Sequence, residues 1–281
     1  AKACASRISA CGRKGRWELA LQLLLNPGPG VRPDGVCLNA AISACSRAAR
    51  WAWALQLLGV LGTARHLQPD VVGLNAAITA CGRAGRWVWA LRLLRDAPAM
   101  CLRPDIVTYN ASVSACERAA HWRGALQLLW ESQAAMLPPS ITGWNAAVSA
   151  ASRAARWPLS LALLVGLREG RVAALRPDLV TFNAALDGCR RAAQWQRTLA
   201  LLRALSSLRA APDVVTLSTV LTACSSGHRW AQALRLFCRM MRLEAGPDVV
   251  GCSAAIGACE KAALWADAVA LLETMHGSDG A

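Results

Sequence analysis

Apolar and polar positions along this chain follow the period of a helix, and the helical stretches come in pairs. From Val71, the residues Leu74, Ile78 and Cys81 fall at i, i+4 and i+7, one stripe of an α-helix. Beyond a turn at Gly85, the residues Trp87, Ala90, Leu91 and Leu94 make a second stripe. Neither helix can hide its stripe alone, so the pattern predicts a helix-turn-helix hairpin that buries its apolar faces against neighbours.

The hairpin recurs down the chain. Pro-Asp pairs stand at Pro33-Asp34, Pro69-Asp70, Pro104-Asp105, Pro177-Asp178, Pro212-Asp213 and Pro247-Asp248, and Pro139-Ser140 fills the one gap. Successive prolines are 36, 35, 35, 38, 35 and 35 residues apart. Cutting after each pair divides 1–281 into one array of repeats: 1–34 (clipped), 35–70, 71–105, 106–140, 141–178, 179–213, 214–248 and 249–281 (incomplete). The extra residues of the 141–178 repeat are expected around Leu167 to Leu175, in the loop after its second helix. The fold class is therefore expected to be all-α, a right-handed α-solenoid of stacked hairpins. Each Asp that closes a repeat stands where it would cap the next helix, its carboxylate accepting from exposed backbone N–H groups.

Composition supports helices over sheet. The 281 residues are 55% hydrophobic, mostly Ala and Leu, with one Tyr and two Phe. Arginines such as Arg47, Arg50, Arg83 and Arg86 interrupt every apolar stretch well before the roughly 18 residues a membrane span requires. The net charge is +14, and nearly all the basic residues are Arg, which suits phosphate or another acidic surface. Charge alone does not separate RNA from an acidic protein partner. The chain starts at Ala1, with nothing resembling a signal or transit peptide, so the natural N-terminus and any address label are expected upstream.

Cys11, Cys45, Cys81, Cys116, Cys189, Cys224 and Cys259 share one repeat position. Equivalent atoms of stacked helices lie roughly 8–10 Å apart, too far for disulfides, so these read as small buried core thiols. Trp17, Trp51, Trp87, Trp122, Trp157, Trp195, Trp230 and Trp265 open the second helices. Aromatic faces can stack on bases, but these belong to the apolar stripe that continues through the leucines and are expected in the core.

The fifth position of each repeat carries the candidate chemistry: Asn39, Asn75, Asn110, Asn145 and Asn183, then Ser218 and Ser253. Asn is a poor helix former, yet it recurs inside a helix, about 100° from the packed seam. One turn later, Ser43, Thr79, Ser114, Ser149 and Thr222 extend the same polar face. A purely structural array has little use for five identical amides there.

The stretches VTYNASVSACERAAHWRGALQLL and VTFNAALDGCRRAAQWQRTLALL resemble pentatricopeptide repeats, and the similarity runs over essentially the whole chain. The Tyr/Phe-Asn pair and terminal Pro-Asp set these units apart from tetratricopeptide repeats, whose 34-residue unit has a different Trp, Leu-Gly, Tyr and Pro pattern. The resemblance is to the P-type members, and it implies a single-stranded RNA partner read one base per repeat. Each base would be read by the fifth residue of a repeat together with the last: Asn39 with Asp70, Asn75 with Asp105, Asn110 with Ser140, Asn145 with Asp178, Asn183 with Asp213, and Ser218 with Asp248. Val36, Val72, Val107, Thr142, Val180, Val215 and Val250 would sandwich the bases.

A carboxylate only accepts hydrogen bonds, so it favours uracil or guanine, whose Watson–Crick edges carry an imino N–H. Asn supplies a donor for a pyrimidine carbonyl, shorter Ser leaves room for a purine, and the Ser140 hydroxyl is able to donate to the bare ring nitrogen of cytosine. By resemblance the six pairs read UU(C/U)UUG from 5′ to 3′. The closing Asp also suits a plain helix cap, and the two roles are compatible because the carboxylate has two oxygens. Arg47, Arg83, Arg118, Arg153 and Arg191, with Arg13 and Lys261, form a row that reads equally as phosphate contacts or as a solvated face. At the ends, Ala5, Lys2 and the unclosed Ser253 leave repeats expected to add little sequence information.

No catalytic residue is expected. The His-x-Glu and Pro-Cys-x-x-Cys pair of the deaminases fused to some family members does not occur. His66, His121, His228 and His276 share no ligand spacing, and neither a Cys-x-x-Cys nor a Gly-rich phosphate loop is present. The expectation is a non-enzymatic RNA adaptor with no cofactor, metal, membrane or small-molecule substrate, acting with RNA-processing proteins. The resemblance implies an organelle, the chloroplast ahead of the mitochondrion. The alternatives are a protein-binding scaffold and the RNA-binding part of a larger RNA-processing enzyme.

Overall fold

The computed structural model of the chain describes residues 2–26, 34–63, 70–170, 175–207, 211–241 and 249–261. Two compact units are formed, Ala1–Ala150 and Ala151–Ala281. The first holds α1 (Lys2–Arg13), α2 (Trp17–Leu25), α3 (Gly35–Arg47), α4 (Trp51–Thr63), α5 (Val71–Arg83), α6 (Trp87–Asp96), α7 (Ile106–Arg118), α8 (Trp122–Ala134) and most of α9 (Ile141–Arg153). A 3-10 turn, Ala97–Met100, follows α6. The second unit holds α10 (Trp157–Arg168), α11 (Leu179–Arg191), α12 (Trp195–Ser207), α13 (Val214–Ser226), α14 (Trp230–Met240) and α15 (Val249–Lys261). The architecture is all-α, with no strand among the described residues.

Each odd-numbered helix from α3 starts immediately after a closing Asp or Ser. Asp34, Asp70, Asp105, Asp178 and Asp213 accept from the backbone N–H three residues on, at 2.9, 2.8, 2.8, 2.9 and 2.7 Å. Asp105 with Thr108 and Asp178 with Thr181 complete reciprocal capping boxes. The far ends of these helices close with one left-handed residue: Gly15, Ala49, Gly85, Ala120, Ala155, Ala193 and His228 all have φ between 54° and 73°. The next N–H then reaches back five residues, as from Arg50 to the Cys45 carbonyl (2.9 Å) and from Arg86 to that of Cys81 (2.8 Å), the pattern of a Schellman turn.

First helices of neighbouring repeats approach through small residues. A Cβ placed on Gly12 would stand 2.8 Å from the Cβ of Ala44, and one on Gly82 only 2.9 Å from that of Ala115. The second unit repeats the device: a Cβ on Gly188 would meet the Ser152 hydroxyl at 2.7 Å. Leu74, Ile78 and Cys81 are fully buried in the core of the first unit, while Leu186, Leu217, Leu221 and Phe237 lie in that of the second. The cysteine column is buried from Cys45 onward and half-buried at Cys11. Burial pushes the Cys45, Cys81, Cys116, Cys189 and Cys224 thiols up to about 11, so they stay protonated and behave as core hydrophobes.

Three expectations need correction. Leu167 belongs to α10 and is buried, because that helix continues to Arg168; the extra residues therefore begin after it. In α6 the buried face runs through Ala90, Leu93 and Leu94, with Leu91 only half-buried. The tryptophans are seam residues rather than full core. Trp17, Trp51 and Trp87 pack one side on the core, and the residue that precedes the next repeat's Trp covers the ring. Arg50 lies 4.8 Å over Trp17, Arg86 lies 5.4 Å over Trp51, and His121 stacks on Trp87 at 4.1 Å. Arg229 covers Trp195 in the same way at 4.5 Å in the second unit. Trp265 lies outside the described residues.

Two consequences are measurable by thermal or urea unfolding. Ala49→Gly and Ala120→Gly should each stabilise the protein by about 0.5–1 kcal/mol, since glycine removes the left-handed strain and gives back part of it as unfolded-state entropy. Gly82→Val should destabilise it by about 1–3 kcal/mol, because the new Cβ meets the backbone Cα of Ala115 at 3.1 Å as well as its side chain.

Candidate functional site

The capping aspartates bring the fifth residue of one repeat against the first turn of the next. Asn39 extends from α3 to the N-terminus of α5, where its amide donates to Asp70 Oδ2 at 2.6 Å. Asn75, on α5, donates to Asp105 Oδ1 at 3.4 Å, and Asn183, on α11, to Asp213 Oδ1 at 3.5 Å. Residues expected from the sequence to work together are thus hydrogen-bonded across about thirty intervening positions, the separation being 31 for the first pair and 30 for the others.

The third pair departs from the pattern. The Asn110 amide donates both to Ser140 Oγ (3.2 Å) and to Thr142 Oγ1 (3.1 Å), and the two hydroxyls lie 2.6 Å apart. Thr142 was expected to act as an apolar sandwich residue. Its hydroxyl instead joins the polar cluster, because Ser140 is too short to fill the place of a carboxylate. Asn145 is half-buried on α9, and Asp178 caps α11 in the other compact unit. Ser218 is buried at 3% exposure and donates to the Val214 carbonyl of its own helix; its expected partner Asp248 lies outside the described residues.

Beside these pairs stands a column of exposed branched side chains: Val36, Val72, Val107, Val180, Val215 and Val250 are all 54–65% exposed. One exposed valine is unremarkable, but the same exposed valine at the same position of six first helices is a surface feature held by the repeat. Three of the polar residues one turn further on are hydrogen-bonded within the fold. Thr79 donates to the Asn75 carbonyl and Thr222 to that of Ser218, both at 2.7 Å, and Ser149 donates to Glu117 at 2.8 Å.

Electrostatics sharpen the carboxylates. Partial burial pushes Asp105 and Asp213 up, but donation from Thr108 or Thr216 and from the Asn75 or Asn183 amide outweighs it and holds both below the ordinary carboxylate range. They remain anionic acceptors at neutral pH. In the arginine row, Arg47, Arg83, Arg118 and Arg153 are exposed, and Arg83 also donates to the Ser46 carbonyl of the preceding repeat at 3.4 Å. Arg191 differs: together with Arg190 it holds Asp187, at 2.7 and 2.6 Å. The Lys2 and Lys261 side chains lie outside the described residues.

At the first, second and fifth junctions the arrangement offers a carboxylate acceptor, an amide and an apolar flank. That set suits the edge and faces of a planar heterocycle. Among the described residues, no group of three His, Cys, Asp or Glu side chains could hold a metal ion, and no helix is long and apolar enough to cross a membrane.

Two features were missed from the sequence. Arg50, Arg86, His121 and Arg229, each standing before a second-helix Trp, cover the Trp of the previous repeat, and the third residue of several first helices, Gly73, Thr108, Gly143 or Thr216, lines the Asn pair. The available signal for the latter was the exchange of Gly and Thr at one repeat position, with Gly unexpected in the first turn of a helix.

Comparison with known proteins agrees with the helical-repeat fold. A family model for the PPR repeat matches residues 4–25, 73–98 and 215–244. No curated protein matches the chain in sequence. Among solved structures, the chain is similar to the crystal structure of the pentatricopeptide repeat protein PPR10 from maize, with 25% identity over 90% of this chain and 36% of that one, and a TM-score of 0.72. The same maize protein in complex with an 18-nt psaJ RNA element superposes with a TM-score of 0.79 at 18% identity, over 98% of this chain and 40% of that one. The PPR domain of Arabidopsis thaliana protein-only RNase P 1 in complex with tRNA gives 0.53 at 14% identity, over 63% of this chain and 92% of that one. The chain spans well under half the length of the maize protein. Repeat matches in three regions, together with stacked two-helix hairpins, show that this chain carries pentatricopeptide repeats.

Proposed function

We propose that this chain is a sequence-specific, single-stranded RNA-binding adaptor of the P-type that reads one base per repeat and has no catalytic activity of its own. The observation that carries this reading is the bonded Asn–Asp pair, repeated beside an exposed valine at the first, second and fifth junctions. An ionised carboxylate accepts only, so it takes the imino N–H of uracil or guanine and rejects the bare ring nitrogen of cytosine. The amide of Asn, with one hydrogen on the carboxylate, keeps a second for a base carbonyl. Valines above and below each base supply apolar contact, and the exposed arginines supply salt-dependent attraction to phosphate.

The preferred site is UU(C/U)UUG, the third base being met by hydroxyls of Ser140 and Thr142 rather than by a carboxylate. The similar maize protein is described in complex with an RNA element, which supports the same class of partner here. We further propose that the protein acts in an organelle, the chloroplast before the mitochondrion, in transcript processing, stability or translation alongside RNA-processing proteins.

Binding of UUCUUG should exceed that of AACAAG by about tenfold or more at each of two salt concentrations, with both affinities falling as salt rises. Equal affinity for the two RNAs would count against base reading and favour a peptide-binding scaffold. Replacing Asn75 by Ser should move the preference at the second base from U toward G, seen as a gain for UGCUUG relative to UUCUUG; an unchanged ratio would break the pairing scheme.

A further inference from the structure

The junctions differ in a residue outside the pairs themselves, the third residue of the helix that follows. At the first junction this is Gly73. The Asn39 carbonyl oxygen occupies the space a side chain would take, 2.5 Å from where a Cβ would stand. From that notch the amide makes its short 2.6 Å bond to Asp70 Oδ2, while Oδ1 caps Gly73 N–H. Both carboxylate oxygens are engaged.

At the second and fifth junctions the third residue is Thr108 or Thr216. A Cβ now fills the notch, and the threonine hydroxyl and N–H both reach Oδ1 of the aspartate, at 2.7 and 2.8 Å for Asp105 and at 2.6 and 2.7 Å for Asp213; the Thr216 hydroxyl also stands 2.6 Å from Asn183 Oδ1, so its one proton is shared between the two acceptors. The amide is held off at 3.4 and 3.5 Å and also points to Oδ1. Asp105 Oδ2 and Asp213 Oδ2 receive no donor among the described residues.

We infer that the third residue of each first helix is a positioning residue for the pair ahead of it: threonine holds the reading carboxylate open with Oδ2 outward, and glycine lets the amide close onto it. The inference rests on base reading by these pairs. A uracil imino N–H meets an unengaged oxygen at the second and fifth bases. At the first base it has to share or displace a short amide bond. Uracil should therefore be told from cytosine more sharply at the second and fifth bases than at the first.

The test compares dissociation constants for UUCUUG, CUCUUG, UCCUUG and UUCUCG. The expected penalty for U→C is about threefold or more larger at the second and fifth bases than at the first, the scale of one modest hydrogen bond. Thr108→Val should reduce the penalty at the second base and leave the fifth untouched, and Thr108→Ser should restore it. Gly73→Thr should raise the penalty at the first base; if that variant does not fold, the Val and Ser pair at residue 108 decides alone. Wild-type discrimination that none of these variants moves overturns the inference and leaves base reading standing. A Thr108→Val protein that loses affinity equally for all four RNAs also overturns it, by marking a purely structural role. No discrimination at any position in the wild type refutes the base-reading proposal itself, and this inference with it.

Discussion

A helix begins with N–H groups that have no carbonyl above them, and in this protein one aspartate oxygen meets that need at the start of α3, α5, α7, α11 and α13. Everything at the candidate site hangs on that bond. It determines where the first turn starts, so it places the exposed valine at the second position, the Gly or Thr at the third, and the Asn one turn further on. It also aims the carboxylate back at the previous repeat, where the amide of Asn39, Asn75 or Asn183 is waiting. Cap and amide partner are one group because a carboxylate has lone pairs to spare beyond what the helix end requires.

Spacing between repeats is held by different means on the two sides of each hairpin. First helices approach through residues with almost nothing to displace, Gly12 on Ala44 and Gly82 on Ala115. Second helices keep contact through the Trp–Arg and Trp–His stacks. These stacks explain a local oddity. Arg16, Arg86 and Arg229 stand at the N-caps of α2, α6 and α14, where a cation faces the positive end of the helix dipole and makes no cap bond. For Arg86 and Arg229 the compensation lies outside the hairpin, on the Trp of the previous repeat.

Much of this was legible from periodicity. The stripe through Leu74, Ile78 and Cys81, the Pro-Asp punctuation and the Trp that opens each second helix are local, repeated and chemically direct, and they recover the helices and their caps, while the pairing of Asn with Asp followed from the family resemblance. Other features were not legible because they depend on two repeats at once. Thr142 looks like a stand-in for valine until it is seen bonded to Asn110 and Ser140. Ser218 looks like a surface hydroxyl, yet it is buried and bonded to its own helix. Arg191 looks like its fellows in the arginine row, but Asp187 holds it.

The sequence by itself therefore determined the hairpin, its period, the cap at each helix start and the chemical types offered at each junction, since all of these are decided by neighbours within a turn or by a pattern repeated along the chain. Only the tertiary structure decided how each junction is set: whether an amide reaches its carboxylate at 2.6 Å or stops at 3.5 Å, and which carboxylate oxygen is left outward. The reason is steric. The space beside each Asn is bounded by the third residue of the next repeat; whether that residue carries a Cβ is written in the sequence, but that it stands against this Asn depends on packing between helices that are adjacent in space and about a repeat apart in sequence.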